Sequence, residues 1–250
     1  MESKFLAIIP ARYASSRFPS KPTVDILGKS MIERVYEQVQ KSEVFEQIVV
    51  ATDHPQIAQK VASFGGNYVL TDPNCPTGTA RCFEAYQQLP KKFDFVVNIQ
   101  GDEPFIQPQQ IQDLALCLQE NTQIATLAKK IESSDEIFNP NVVKVVFGQD
   151  QQALYFSRNP IPYYRNLEKE KWAENGVFYK HIGIYGFKAK IFEQIQDIAT
   201  SNLEIAESLE QLSWLWAGFR IKIGLTNLES YGIDTPEDIE KVLKIFGRTI

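Results

Sequence analysis

Soft-ligand chemistry is scarce in this chain: three cysteines, two histidines and two methionines in 250 residues. Cys75, Cys82 and Cys117 form no C-x-x-C pair and have no histidine at zinc-site spacing, so reduced, mostly buried thiols are expected and not a disulfide framework or a zinc centre. No apolar run approaches a membrane span, and the first residues lead into a strand-like run without a signal-peptide layout, so a cytoplasmic protein with no membrane partner is expected. Positive charge is not in excess either. With 26 Lys+Arg against 31 Asp+Glu, the net charge of −5 argues against nucleic acid as a partner, and any cationic site must be local. The two commonest nucleotide fingerprints, G-x-x-x-x-G-K-[ST] and G-x-G-x-x-G, are both missing. So are internal repeats, low-complexity tracts and an evident linker. At 44% hydrophobic and 23% charged, the chain can bury a full core, and a single α/β domain spanning residues 1–250 is predicted.

What is present is organised around I-I-P-A-R-Y-A-S-S-R-F-P-S-K-P, residues 8–22. An apolar strand (Phe5 to Ile9) stops at Pro10 and feeds a stiff loop carrying Arg12, Arg17 and Lys21. Where a buried parallel strand turns toward a helix, backbone N–H groups point into the crevice that binds ligands in open α/β sheets. Cations added there suit a polyphosphate, and prolines lower the ordering cost. A merely solvated basic loop is the alternative reading.

Further along, Met31, Val35 and Val39, with Ile32 and Tyr36, predict a helix after Ser30. Gln47 to Ala51 reads as a strand, with Asp53 at its tip either as a cap for a helix from Pro55 to Phe64 or as a ligand contact, and Gly65-Gly66 closes that helix. A strand at Asn67 to Leu70 enters T-D-P-N-C-P-T-G-T-A-R, where Thr77 or Thr79 caps the next helix. Turn amides and threonine hydroxyls there could read a base edge. Arg81 lies at a helix start, where charge–dipole logic would not put a cation. Asp94 to Ile99 is an apolar run typical of a strand covered on both faces. It ends in Gln100-Gly101-Asp102-Glu103-Pro104, where Gly101 allows close approach of a ligand and Asp102 serves as a turn residue or as a Mg²⁺ ligand.

After a helix at Gln109 to Leu118, strands at Ile124 to Ile131, Val142 to Phe147 and Ala153 to Phe156 follow without helices of any length. They mark an antiparallel excursion of about residues 124–190. Residues 157–176 read as a mobile charged loop, and Phe178 to Phe187 as a strand carrying His181. An arm of this kind suits an isologous dimer. Asn202 to Trp216 reads as one amphipathic helix with Ile205, Leu209, Leu212 and Leu215 inward and Glu204, Glu207 and Glu210 solvated. A strand at Arg220 to Leu225 precedes a last helix opened by Asp234-Thr235-Pro236, with Ile239, Val242 and Phe246 buried. Capping alone accounts for Asp234.

Eight ordered motifs then point one way: P-A-R-Y-A-S-S-R-F-P-S-K-P, A-T-D, T-G-T-A-R, N-I-Q-G-D-E-P, A-L-Y-F-S-R, H-I-G-I-Y-G-F, E-S-L-E-Q-L and D-T-P-E-D-I. Together they closely resemble the 3-deoxy-manno-octulosonate (Kdo) cytidylyltransferases over nearly the whole chain. The resemblance implies a Rossmann-like nucleotidyltransferase fold with a mixed sheet, and a homodimer built through the antiparallel excursion, which also binds sugar. It implies Mg²⁺-dependent transfer of CMP from CTP to Kdo, serving lipopolysaccharide biosynthesis.

By the same resemblance, Arg12, Lys21 and Asp102 are catalytic. The nucleotide set is Pro10, Ala11, Arg12, Ser15, Lys21, Thr77, Gly78, Thr79, Arg81 and Asp102. The sugar set is Gln100, Arg158, His181, Tyr185, Glu210 and Gln211, with Arg158 facing the sugar carboxylate. Asp102 and Asp234 hold Mg²⁺. Three positions depart from the family pattern: Ser20 where Gly is usual, Ala80 in place of an acid, and Ser213 in place of Arg. An 8-amino-8-deoxy form of Kdo is one sugar they could accommodate. An acylneuraminate cytidylyltransferase fits the Q-G-D-E-P and H-I-G-I-Y-G-F motifs less well. A glycosyltransferase would want a D-x-D pair, which is absent after the central strand, and a nucleotide sensor would not need so full a set of cations and acids.

Overall fold

The computed structural model describes residues 3–14 and 18–246, which fall into two compact units. Ser15 and Arg17, expected in the phosphate loop, lie outside the described residues, as does the side chain of Phe246.

The first unit comprises residues 1–112 and 230–250. Its strands are β1 (Phe5–Ala11), β2 (Gln47–Thr52), β3 (Tyr68–Leu70) and β4 (Phe95–Asn98). All pair in parallel, in the order β4-β1-β2-β3. The chain winds outward from β1 through β3 and then returns to the other side of β1. Neighbouring strands whose following loops leave in opposite directions open a crevice at their carboxyl ends, and here those strands are β1 and β4. Leu6 to Ile9 and Val96 and Val97 are at most 1% exposed, as strands covered on both faces should be.

The helices follow from local chemistry. Helix α1 (Met31–Lys41) buries Met31, Ile32, Val35, Tyr36 and Val39, the stripe that the spacing predicts. At α2 (Pro55–Ser63) the cap differs from expectation. His54, and not Asp53, is the N-cap, with Nδ1 accepting from the Gln56 amide. Gly65 closes this helix at φ +80°, a left-handed conformation that glycine adopts at little cost. In α3 (Gly78–Gln87) the cap is Thr77, whose hydroxyl accepts from the Ala80 amide. A small hairpin (Asp25–Ile26 with Lys29–Ser30) and the last helix, α9 (Pro236–Phe246), complete the unit, with Ile26, Met31, Phe105, Ile233 and Val242 forming one apolar cluster. Ile239 packs against that cluster half-buried.

The chain enters the second unit, residues 113–229, within helix α4 (Pro108–Cys117). Here β5 (Ile124–Lys130) pairs antiparallel with β8 (Tyr179–Lys188) and parallel with β9 (Ile221–Leu225). Strands β6 (Lys144–Phe147) and β7 (Ala153–Ser157) extend the antiparallel part, β6 pairing with both β8 and β7. The short helix α5 (Ser134–Phe138) interrupts the expected helix-free run.

Two expectations need correction. Within the stretch read as a mobile loop, Trp172 is 1% exposed, stacked on Phe178 at 5.5 Å and packed with Ile131 and Ile137. An indole in a core anchors the charged residues around it. The single amphipathic helix is in fact two, α7 (Asn202–Glu207) and α8 (Gln211–Trp216), with α6 (Ala189–Gln194) before them. Ser208 breaks the run at φ 52°, and the break turns Ile205 outward to 66% exposure while Leu209 and Leu212 remain buried.

Candidate active site

The carboxyl ends of β1 and β4 meet closely. A Cβ on Gly101 would stand 2.5 Å from the Pro10 carbonyl oxygen, so only glycine lets the two strand ends converge. The close approach expected of Gly101 is therefore made by the protein's own backbone. Beside it opens a cavity of about 330 Å³ in the first unit. Its walls hold Pro10, Ala11, Arg12 and Lys21 from the first loop, Thr77, Gly78 and Arg81 from the start of α3, Gln100 and Asp102 from the end of β4, and Asp234 ahead of α9. Most of the residues expected on nucleotide and metal thus share one hollow. Thr79 is buried and does not line it.

Lys21 sits in a 3-10 turn (Lys21–Thr23) begun by Ser20 at φ 58°. Its ammonium donates to Asp102 Oδ2 at 2.8 Å, to the Ile233 carbonyl at 2.9 Å and to Asp234 Oδ1 at 3.3 Å. The Ile233 amide donates in turn to the Asp102 carbonyl at 2.9 Å, fixing the two acids' backbones relative to each other. Arg12 lies exposed at the cavity edge.

Arg81 is a buried structural cation. Its guanidinium donates to Asp53 Oδ2 at 3.1 Å and to Thr71 Oγ1 at 2.6 Å, with both members of the ion pair under a tenth exposed. Asp53 Oδ1 also accepts from the Tyr13 amide at 3.0 Å. The pair that replaces the expected Asp53 cap therefore ties the cationic loop to α3, and Arg81 is held without the acid that Ala80 replaces. Tyr13 stacks on His54, centroids 3.8 Å apart.

The sequence reading missed Cys75, which lines the same cavity. Its thiol donates to Glu84 Oε2 at 3.0 Å, and burial together with the Glu84 carboxylate pushes it up to about 11. Glu84 also accepts from the Asp72 amide, pinning the loop before Thr77. The only cue in the sequence was the turn-rich context of T-D-P-N-C-P.

In the second unit, His181 on β8 lies across from β5, with Nε2 2.9 Å from Thr126 Oγ1. That hydroxyl also stands 3.1 and 2.7 Å from the Ile182 and Ile184 carbonyls, where its one proton must go, so its lone pair accepts from an imidazole Nε2–H. Burial lowers the His181 pKa to about 3, so the ring is neutral. Tyr185 is 7% exposed, and its hydroxyl has no hydrogen-bond partner among the described residues. Burial and the Glu210 charge raise its pKa. Gln211 is buried nearby in sequence, at the start of α8.

Arg158 is more engaged than expected. It donates from Nε to the Glu207 carbonyl at 2.7 Å, and from its terminal nitrogens to Pro140 and Ser208 carbonyls at 3.1 and 3.4 Å. A guanidinium has five N–H donors, so some remain for a ligand. The acids read as solvated are bonded as well: Glu207 accepts from Ser157 Oγ and the Arg158 amide, and Glu204 from Ser213 Oγ.

Among the described residues, no group of three or more His, Cys, Asp and Glu side chains could hold a metal, and no helix is long and apolar enough to cross a membrane.

Comparison with known proteins bears on this geometry. The cytidylyltransferase family pattern matches residues 6–223. A 3-deoxy-manno-octulosonate cytidylyltransferase of Parabacteroides distasonis is 51% identical over 245 residues, covering 96% of this chain and 97% of that one. One of Cytophaga hutchinsonii is 52% identical, covering 95% of each. Among solved structures, a CMP:2-keto-3-deoxy-manno-octonic acid synthetase in complex with CTP superposes with a TM-score of 0.91 at 39% identity, covering 99% of this chain and 100% of the other. The 4-diphosphocytidyl-2C-methyl-D-erythritol synthase of Anaerococcus prevotii, at 15% identity and a TM-score of 0.65, shares the fold alone.

Proposed function

The chain belongs to the cytidylyltransferase family, and on that premise we propose that it transfers CMP from CTP to the anomeric hydroxyl of Kdo, releasing pyrophosphate. The observation that carries the reading is the convergence of Arg12, Lys21, Asp102, Asp234 and the Thr77-Gly78 turn on one cavity at the β1/β4 switch point. A triphosphate needs cations and backbone donors, and that hollow supplies both.

In the reaction the anomeric oxygen attacks the α-phosphorus in line. As the hydroxyl gives up its proton to solvent, a new P–O bond forms, the bond to the bridging α–β oxygen breaks, and its electron pair leaves with pyrophosphate. Arg12 and Lys21 offset charge on the transferring and departing phosphoryl groups. Pro10, Ala11 and the start of α3 position the nucleotide, with the Asp53–Arg81 pair setting where those two segments stand. In the second unit, Arg158, His181, Tyr185, Glu210 and Gln211 orient the acid sugar. The neutral His181 ring acts there through hydrogen bonding, and the buried Tyr185 hydroxyl suits a sugar hydroxyl as partner.

Mg²⁺ fits the site's donor set. Asp102 and Asp234 carboxylate oxygens and the Ile233 carbonyl already surround one cation, the Lys21 ammonium, and Mg²⁺ favours a few protein oxygens completed by phosphates and water. When bound, it would supply charge neutralisation of the triphosphate. The product would enter lipopolysaccharide assembly, and a homodimer formed through the second unit, working in the cytoplasm, completes the reading.

The test is pyrophosphate release with CTP or UTP against Kdo, its 8-amino analogue and N-acetylneuraminate, with and without Mg²⁺. Release only with CTP, a Kdo-type sugar and Mg²⁺ is expected. Equal turnover of N-acetylneuraminate, or none with any sugar, would refute the assignment.

A further inference from the structure

Thr126, on β5, is fully buried, and its hydroxyl meets three groups of β8: His181 Nε2 at 2.9 Å, the Ile182 carbonyl at 3.1 Å and the Ile184 carbonyl at 2.7 Å. The two strands shift register here, since Leu127 stands opposite Ile182 while Thr126 stands opposite Tyr185. A bulge disrupts the ladder locally and re-aims side chains, and in this one a hydroxyl sits between two carbonyls at the break. Its one proton serves those carbonyls, so its lone pair faces Nε2 and the ring carries its proton there. A neutral imidazole has one N–H and one bare nitrogen, which makes Nδ1 an acceptor. Burial lowers the His181 pKa to about 3, so the ring does not take the second proton that would turn Nδ1 into a donor. Phe156 meets the ring edge-on at 5.1 Å and Tyr185 stands at 5.2 Å, so the plane of the ring is held as well.

We propose that Thr126 is a positioning residue that holds His181 as the Nε2–H tautomer, so that Nδ1 accepts a hydrogen bond from a hydroxyl of the bound sugar. The inference rests on the reading of His181 as a residue that orients the sugar, and it specifies that contact. The two ring nitrogens are distinct, and the hydrogen bond made by one sets the role of the other. Thr126 takes up Nε2, and Nδ1 has no hydrogen-bond partner among the described residues. With Nδ1 bare, the ring selects a ligand group that donates, because a carboxylate or carbonyl oxygen at that place would meet a second lone pair. The carboxylate of the sugar is thus left to Arg158, whose guanidinium only donates.

The test reads the tautomer directly, from the imidazole nitrogen-15 resonances of the full chain at pH 7. With two histidines the spectrum is sparse, and His181→Gln identifies the His181 signals. His181 should show a protonated Nε2 and a bare Nδ1. Thr126→Val keeps the branched shape but removes the hydroxyl, and should admit the Nδ1–H form. In that variant the Kdo KM should rise roughly fivefold to tenfold, as for the loss of one hydrogen bond, with the CTP KM within about twofold. Thr126→Ser restores the hydroxyl and should return both readouts toward the unaltered protein. Circular dichroism checks that each variant folds, with Thr126→Ala as the substitute should Thr126→Val fail. A bare Nε2 in the unaltered protein, or a Thr126→Val tautomer that does not change, would overturn the proposal. So would a tautomer change that leaves the Kdo KM as it was, or equal losses for CTP and Kdo, which mark a merely structural role. If the unaltered protein turns over CTP and Kdo with His181 in the other tautomer, this inference alone falls. If no sugar supports turnover yet the Nε2–H form depends on Thr126, the tautomer lock stands and the assigned reaction falls.

Discussion

Ser20 occupies a backbone conformation, φ 58° and ψ 17°, that L-residues other than glycine reach only at a cost of roughly 1 kcal/mol or more. Its carbonyl accepts from the Thr23 amide and hydroxyl, and its amide donates to the Tyr13 carbonyl at 3.1 Å, so the turn holds the strained residue in place. Ser20→Gly should relieve the strain but add freedom to the unfolded chain, for a net gain of up to about 1 kcal/mol in urea unfolding. The sequence registered Ser20 as a departure from its family, but the sign of φ could not be read from it. His181 gives the other prediction at this scale. Its folded-state pKa, about 3, lies below the ordinary 6.5, so the folded ring stays neutral while the unfolded one takes a proton. Stability is then full above pH 6.5 and falls as pH drops toward 3, by roughly 2 kcal/mol between pH 6.5 and pH 5. Urea midpoints at pH 7 and pH 5 should show that drop in the unaltered protein and a smaller one in His181→Gln.

At the scale of elements, the Asp53–Arg81 pair joins the loop after β1 to the start of α3. Asp53→Asn keeps an acceptor for the Tyr13 amide but leaves a buried guanidinium without its counter-charge, which should cost about 3–5 kcal/mol in unfolding experiments. Adding Arg81→Met should return part of that loss, and an equal or larger deficit in the double variant would mean that the pair is not what sets the stability. From sequence, Arg81 stood out because a cation at a helix N-terminus opposes the dipole. That signal was sound, and its explanation is a partner 28 residues earlier in the chain. Periodicity served α1 well because one buried stripe decides it, and it failed over 202–216 because a single left-handed serine resets the phase between two short helices. Trp172 was hidden for a related reason. Amid L-E-K-E-K-W-A-E-N-G, charge density signals solvent, and only the tertiary partners Phe178, Ile131 and Ile137 show that one side chain anchors the stretch.

For the molecule as a whole, the parallel strands, the order of the motifs and the cationic loop were all legible, because they depend on local runs and spacings. What the sequence could not carry was mutual position: that Gly101 meets the Pro10 carbonyl, that Cys75 lines the same cavity as Lys21, or that Lys21 closes on Asp102 and Asp234. The division into units was likewise out of reach, since no linker composition marks it and the first unit resumes only at Ser230.

That interrupted first unit has a consequence during synthesis. A chain made from its N-terminus delivers the whole of the second unit before Ile233, Asp234 and Val242 leave the ribosome. Until then Ile26, Met31 and Phe105 lack the apolar residues that complete their cluster, and Lys21 lacks two of its three oxygen partners. Domains generally mature in the order in which they are translated. Here the unit that begins first is completed only after the other, and Lys21 meets its second and third oxygen partners only once Ile233 and Asp234 have emerged.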